Sequence, residues 1–336
     1  MTQLQAEPSS AATTGATAAP LVVVFNLGSG QARSQAEAVR TTMRQGCASA
    51  GRELHLLEVQ QPQTLPATAR EAVALAHKLG AMVVAAGGDG TINTVAQATL
   101  GSGCAFGVLP QGTFNYFSRA HGIPADAEQA LQIILAGHTR PVQVGQVGDR
   151  IFLVNASLGL YPQLLKEREA WKRQFGRSRV VAFGAGLVTM LRGHRSLRLT
   201  VQAEGAERQL RTPTLFVGNN ALQLAQLGLA DASSAGQGQL AIIALRPVGR
   251  IRLLGLLLRG AYGRLGDADE LIQVSTAQLT VGIGRQLAAL GGRRIKVATD
   301  GEVAKMALPL TFKIAPQALN LLCPADFSAT DALGSA

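Results

Sequence analysis

The chain has 336 residues, of which 47% are hydrophobic and 15% charged, with 38 glycines and a net charge of +10. That length allows two domains with real cores, and the composition excludes a disordered chain in favour of a turn-rich α/β protein. The charge favours acidic partners such as nucleotides or anionic lipid surfaces, while 4% aromatics and the lack of a zinc-finger or RNA-recognition signature argue against nucleic acid.

Residues 1–20 are mostly Ala, Thr, Ser and Gly. They lack a basic region and an apolar core, so they read as a disordered leader rather than a signal peptide. Residues 21–25 are a β-branched run, the expected first strand. It ends in Asn26-Leu27-Gly28-Ser29-Gly30, a turn before a helical pattern over 36–43. Residues 54–59 read as a strand and 68–79 as a helix. The next strand runs from Val83 into Gly87-Gly88-Asp89-Gly90-Thr91-Ile92-Asn93, where a second helix begins.

That stretch organises the chain. A short apolar run fits a strand buried on both faces of a parallel sheet. Its glycines let the backbone turn sharply, and the following helix aims its positive end at the same point. With Asp89 in the turn, the arrangement suits a phosphate chain with its metal ion; the plainer reading is a tight turn whose Asp only caps the helix. A further strand over 105–109 leads into Pro110-Gln111-Gly112-Thr113-Phe114-Asn115, again ahead of a helix. Alternating strands and helices predict a doubly wound parallel sheet, with ligands beyond the carboxyl ends of its strands.

After about Arg140 the texture changes. Strands are expected over 142–147, 151–156, 196–203, 208–217, 240–245 and 277–283, which predicts a mainly β second domain spanning 142–312. Two basic insertions interrupt it, over 164–191 and 250–264. Together they raise peripheral contact with an anionic membrane as an alternative to ordinary amphipathic helices. A strand over 293–299 runs into Asp300-Gly301-Glu302. Closing strands are expected over 308–314 and 318–323, and a frayed tail over 325–336.

Cys47, Cys104 and Cys323 show no metal spacing, so reduced thiols of a cytoplasmic protein are expected. The five histidines are scattered, and no metal-ligating set is assigned. No apolar run is long enough to span a bilayer. There is no Gly-x-x-x-x-Gly-Lys-Ser/Thr loop and no protein-kinase signature. Loops at 26–30, 87–93 and 112–115 could clamp phosphates, and Asp89, Asp300 and Glu302 are the candidate acids for an acceptor hydroxyl. Local sequence alone reads Asp300-Gly301-Glu302 equally well as a solvated hairpin turn.

In order, Gly-Gly-Asp-Gly-Thr-Ile-Asn at 87–93, Pro-Gln-Gly-Thr-Phe-Asn at 110–115, Asn-Ala-Ser-Leu-Gly at 155–159 and Asp-Gly-Glu at 300–302 resemble the diacylglycerol kinase/sphingosine kinase type of lipid kinase, in its bacterial soluble branch. The resemblance covers about 21–324. It implies an N-terminal nucleotide-binding α/β domain (21–141, rejoined by 313–324), a C-terminal β-sandwich, and an active site in the cleft between them. It implies ATP contacts at Asn26, Ser29, Gly30, Gly87, Gly88, Asp89, Gly90, Thr91, Ile92, Asn93, Gly112, Thr113 and Asn115. Asp300 and Glu302 would form the proton-acceptor site, and magnesium would arrive with ATP. The implied acceptor is a lipid hydroxyl such as that of diacylglycerol. A NAD-kinase-like soluble acceptor and an inactive lipid- or nucleotide-binding regulator are the alternatives.

Three departures matter. Leu27 and Gly28 replace the family's usual Pro-x in the first turn, a change expected to be harmless. Tyr116 stands where the family often has Asp. The family's magnesium-holding Asp-Asp-Gly or Asn-Asp-Gly turn corresponds to 235–240, where Gln237 replaces the ligating Asp. That replacement argues against a structural magnesium in this chain.

Overall fold

In a computed structural model of the chain, the residues described are 19–26, 33–159, 196–226, 228–229, 235, 237–249, 252, 255–256, 268–283 and 294–327. The expected leader up to residue 18, Ser29 and Gly30, the whole 164–191 insertion, most of 250–264 and the tail from 328 lie outside them.

The first sheet is built from β1 (Leu21–Asn26), β2 (Leu54–Val59), β3 (Met82–Gly87), β4 (Phe106–Pro110), β5 (Thr139–Val142) and β18 (Leu319–Leu322), in the order β2-β1-β3-β4-β18-β5. Every neighbouring pair is parallel except β18 with β5. β1, β3 and β4 are apolar and buried nearly throughout, as strands covered on both faces must be. The helices are α1 (Arg33–Ser49), α2 (Leu65–Leu79), α3 (Asp89–Thr99), α4 (Tyr116–Ala120) and α5 (Ala127–Ala136). α1 packs on α5 and α2 on α3. From β1 the chain crosses to β2 on one side; from β3 it crosses to β4 on the other. The switch point therefore lies between Asn26, at the end of β1, and Gly87, at the end of β3.

Two further six-stranded sheets form the second domain. One has the order β10-β9-β14-β17-β6-β7: Ala206–Thr212, Leu197–Ala203, Gln278–Ile283, Leu310–Ile314, Gly145–Val147 and Arg150–Phe152. The other is β13-β12-β11-β8-β15-β16: Leu271–Thr276, Leu240–Leu245, Thr214–Gly218, Asn155–Gly159, Arg294–Thr299 and Glu302–Ala307. Phe152, Leu158, Leu199, Leu215, Val281 and Phe312 belong to the core they share. A short helix, α6 (Ala221–Gln226), follows β11.

Three expected strands are each two strands in different sheets. Residues 142–147 break at Gln143–Val144, 151–156 at Leu153–Val154, and 208–217 at Pro213. Alternation continues through the first two corners because the corner residues serve a second core. Val144, Leu153 and Val154 are buried in the first domain's core, while Val147, Phe152 and Ala156 are buried in the sandwich. Pro213 carries no N–H for a ladder, which suits a corner. The strands Leu271–Thr276 and Glu302–Ala307 add to those expected from sequence.

Two boundaries also differ. Lys313 and Ile314 belong to β17 in the sandwich, so the return to the first sheet begins after Ile314. The ordered chain continues past 325. The Phe327 ring lies under the Arg140 guanidinium at 5.6 Å, and the Phe327 carbonyl accepts from Arg140 Nη1 at 2.9 Å.

Candidate active site

The glycine turns meet at the switch point. Gly87 ends β3 and must be glycine, because a Cβ there would lie 2.7 Å from Thr91 Cβ. Gly88 is the N-cap of α3, so the helix's positive end faces the turn. Across from it lies Gly112. A Cβ on Gly112 would come 2.7 Å from Asn115 Oδ1, 3.2 Å from Gly88 Cα and 3.5 Å from the Asp89 nitrogen. Two loops thus touch with no side chain between them, which leaves their backbones accessible to an anion.

Asn115 holds the second loop. It adopts the left-handed φ of 49°, which Asn tolerates. Its Oδ1 accepts from the Gly112 N–H at 3.0 Å, and its Nδ2 donates to the Gly112 carbonyl at 3.1 Å. The Asn115 N–H donates to Asp89 Oδ2 at 3.2 Å, which ties the two loops together. Asp89 Oδ1 is buried without a hydrogen-bond partner among the described residues. Burial pushes the Asp89 carboxyl above its ordinary range, against the backbone donors that pull it down.

The predicted residues divide by the direction they face. Gly88, Asp89, Gly90, Gly112 and Thr113 line the accessible turn. Thr91 and Ile92 do not: Thr91 is buried, and its Oγ1 accepts from Asn26 Nδ2 at 2.8 Å. Ile92 is fully buried in the first core, and its N–H goes to the Gly88 carbonyl. That leaves Ile92 neither a side chain nor an N–H for a ligand. Asn93 points the other way, to the second domain, where its Nδ2 donates to Asp300 Oδ2 at 2.7 Å.

Asp300 and Gly301 form the two-residue turn between β15 and β16, both at positive φ (46° and 90°). Asp-Gly is the sequence such hairpins favour, so the hairpin reading of these residues holds. The carboxylate, however, turns inward. Its Oδ1 accepts from the Val154 and Asn155 N–H groups, both at 2.9 Å, and its Oδ2 from the Leu153 N–H and Asn93 Nδ2, both at 2.7 Å. Those four bonds use the lone pairs a carboxylate has. Burial pushes the Asp300 carboxyl up, while the same four donors oppose the shift. Asp300 therefore binds the corner of the sandwich to α3 and has no spare acceptor for a substrate proton.

Glu302 is the exposed partner. Its Oε1 lies 3.5 Å from where a Cβ on Gly90 would be, and its Oε2 lies 3.8 Å from Arg150 Nη1. It lines an interdomain cleft of about 520 Å³ together with Asn93, Thr94, Arg70, Arg150 and Thr299. Neither arginine is among the residues expected from sequence, because a lone Arg in a helix or hairpin carries no local signal. Among the described residues, no group of His, Cys, Asp and Glu could by itself hold a metal ion. No helix among them is long and apolar enough to cross a membrane.

These features define a class: an α/β domain with paired glycine loops at its switch point, completed by an acidic turn from a β-sandwich. The family model for the diacylglycerol kinase catalytic domain matches residues 20–147, and that for the YegS C-terminal NAD kinase beta sandwich-like domain matches 167–323. Together they take in most of the chain, which belongs to the diacylglycerol kinase-type family with a YegS-type second domain. A Serratia proteamaculans protein named probable lipid kinase YegS-like is 31% identical over 204 residues, 59% of each chain. A Staphylococcus epidermidis diacylglycerol kinase is 39% identical over 88 residues, 26% of this chain and 28% of its own. These matches span less than two thirds of either relative. A solved Bacillus anthracis diacylglycerol kinase structure superposes with a TM-score of 0.64 at 16% identity, covering 91% of this chain and 97% of that one. At that identity the likeness concerns the fold, which is the α/β domain and β-sandwich expected.

Proposed function

We propose that the protein is an ATP-dependent kinase that phosphorylates a hydroxyl of a lipid such as diacylglycerol, working at a membrane surface. The observation that carries this reading is the juxtaposition of Glu302 with the α3 N-terminus, at the mouth of the two glycine loops. The loops fit a phosphate chain laid along their shared edge, since Gly88 and Gly112 meet with no side chain standing over their backbones. The unpartnered Asp89 Oδ1 fits a cation carried with that chain. ATP with magnesium would supply the phosphoryl group.

The residues then divide the work. The backbone of Gly88 and Gly90, with the α3 dipole, holds phosphate oxygens, while Gly112, its own N–H taken by Asn115, keeps the opposite wall free of a side chain. Glu302 accepts the proton of the acceptor hydroxyl as its oxygen forms the new bond to phosphorus and the bond to the leaving ADP oxygen breaks. Asp300 is a positioning residue: through Asn93 it sets Glu302's hairpin against α3.

A lipid is favoured by an apolar slot of about 440 Å³ between the sandwich sheets, lined by Val201, Leu210, Leu215, Ile242, Val274 and Leu279. Leu215 pairs with Leu158, three residues along β8 from Asn155, so the slot begins about 10 Å from the acid turn. A soluble acceptor is the second reading, favoured by the polar lining of the cleft at Arg70, Asn93 and Arg150.

The test is transfer of label from ATP to lipid alcohols in anionic vesicles and, in parallel, to soluble alcohols. Glu302→Gln should lower the rate by about 10²–10⁴ while leaving folding and nucleotide affinity intact. Full activity in that variant would remove Glu302 as the base. Product only with soluble alcohols would favour the second reading.

A further inference from the structure

The turn at 235–240 is where the family resemblance implies a magnesium ion. The donor set there does not suit one. Magnesium requires oxygen ligands, usually with carboxylates among them. Among the described residues, the polar groups here are neutral amides that already satisfy one another. Gln143, at the corner between β5 and β6, reaches into the turn. Its Oε1 accepts from the Gly238 N–H at 2.7 Å. Its Nε2 donates to the Gln239 carbonyl at 3.1 Å and to Asn219 Oδ1 at 2.7 Å.

The orientation of each amide is fixed. The Gly238 N–H can only donate, so the Gln143 atom facing it is oxygen and the other is nitrogen. Asn219 Nδ2 faces two carbonyls, those of Gln143 at 3.2 Å and Leu153 at 3.1 Å, so its oxygen must face the Gln143 side chain. The Asn219 N–H also donates to the Val154 carbonyl at 2.9 Å. Leu153 and Val154 are the residues whose N–H groups hold Asp300. A continuous path therefore runs from the Gly238 turn through Gln143 and Asn219 to the Asp300 carboxylate, and on to Asn93 of α3.

We propose that the Gln143 carboxamide stands where a structural cation would stand, and that this amide, not a metal, fixes the Leu153–Asn155 corner around Asp300. Gln143 is a positioning residue, and the junction of the two domains needs no divalent ion. The inference rests on these hydrogen bonds and is independent of which acceptor the enzyme phosphorylates.

The decisive variant is Gln143→Glu. It replaces the donor by an oxygen facing the Gln239 carbonyl and Asn219 Oδ1, so three acceptors converge with nothing to satisfy them. A divalent cation can then take the place of the lost N–H group. Thermal melts of nucleotide-free protein are read in EDTA and in calcium or magnesium. Wild type should melt at the same temperature in all three, and metal analysis of purified protein should find substoichiometric divalent ion. Gln143→Glu should melt lower in EDTA by about 5 °C or more and recover on adding the ion. Gln143→Leu should melt lower without recovery. A wild-type melt that falls in EDTA, or Gln143→Glu equal to wild type in EDTA, would overturn the proposal. If Gln143→Glu does not accumulate folded, the wild-type metal content and chelation series decide the matter alone.

Discussion

Asp300→Asn is the most informative single change. It keeps the shape of the side chain and replaces one carboxylate oxygen by an NH₂ group. If nitrogen takes the Oδ1 position, it faces the Val154 and Asn155 N–H groups; if it takes Oδ2, it faces the Leu153 N–H and Asn93 Nδ2. In both rotamers two of four hydrogen bonds are lost and two donors are left facing a donor. Each such loss costs about 1–3 kcal/mol, for a sum of about 2–6 kcal/mol. The turn's backbone is partly exposed but the carboxylate is buried against its four donors, which places the expectation near the middle of that range, about 4 kcal/mol. Urea unfolding followed by circular dichroism reads this as a lower midpoint. A second arm isolates the contact with α3. Asn93→Asp alone sets two carboxylates against each other and should destabilise. In the Asp300→Asn background, the same change lets the amide now on the turn donate to the carboxylate now on α3, and should recover about 1 kcal/mol. An Asp300→Asn midpoint equal to wild type would show that the carboxylate does not hold the corner, and the separation of roles between Asp300 and Glu302 would fall with it.

Other expectations follow from neighbouring features. Gly112→Ala puts a Cβ 2.7 Å from Asn115 Oδ1 and 3.2 Å from Gly88 Cα, where the backbone on the far side cannot yield. ATP affinity measured by calorimetry should weaken by at least ~10-fold, and unchanged affinity would remove this loop from the site. Burial, with the charge of Arg140 adding to it, holds the His121 imidazole down at about 3. The unfolded chain takes up that proton near 6.5 and the folded chain does not. The stability His121 contributes is thus present above about 6.5 and is lost as pH falls from there toward the folded value. The urea midpoint should be lower at pH 5 than at pH 7, and His121→Phe should flatten that difference; a slope unchanged in the variant would assign it to other groups.

Local order in the first domain was legible because each signal there is local. An apolar strand, a glycine turn and an amphipathic helix occupy consecutive residues, so β3, the 87–90 turn and α3 could be read directly. The sandwich was legible only as a texture. Strand corners at Gln143–Val144 and Leu153–Val154 keep the period-two alternation while changing which core the apolar side chains enter, and no one-dimensional pattern records that change. Site residues divide in the same way. The glycine loops announce a backbone-lined anion site, but whether Thr91 faces a ligand or Asn26 depends on packing. The pairing of Asn93 with Asp300 joins residues 207 apart, and its consequence, an acid with no spare acceptor, is invisible at either position. Gln143 gave no signal: a glutamine between two valines in a β run looks like any solvent-facing residue.

The strand order of the first sheet bears on how the protein is made. Among the described strands β5 pairs only with β18, and β18 lies between it and β4. A ribosome delivers residues 1–142 long before residue 319. Through that interval the first domain has an uncovered β4 edge and a strand with nowhere to dock. An exposed edge invites pairing with other chains, so this is the interval in which the nascent chain is open to edge-to-edge association. The two domains cannot mature in sequence. The sandwich must form, or at least be threaded past, before β18 can slide into its slot, so the first domain is completed after the sandwich has been made rather than before it.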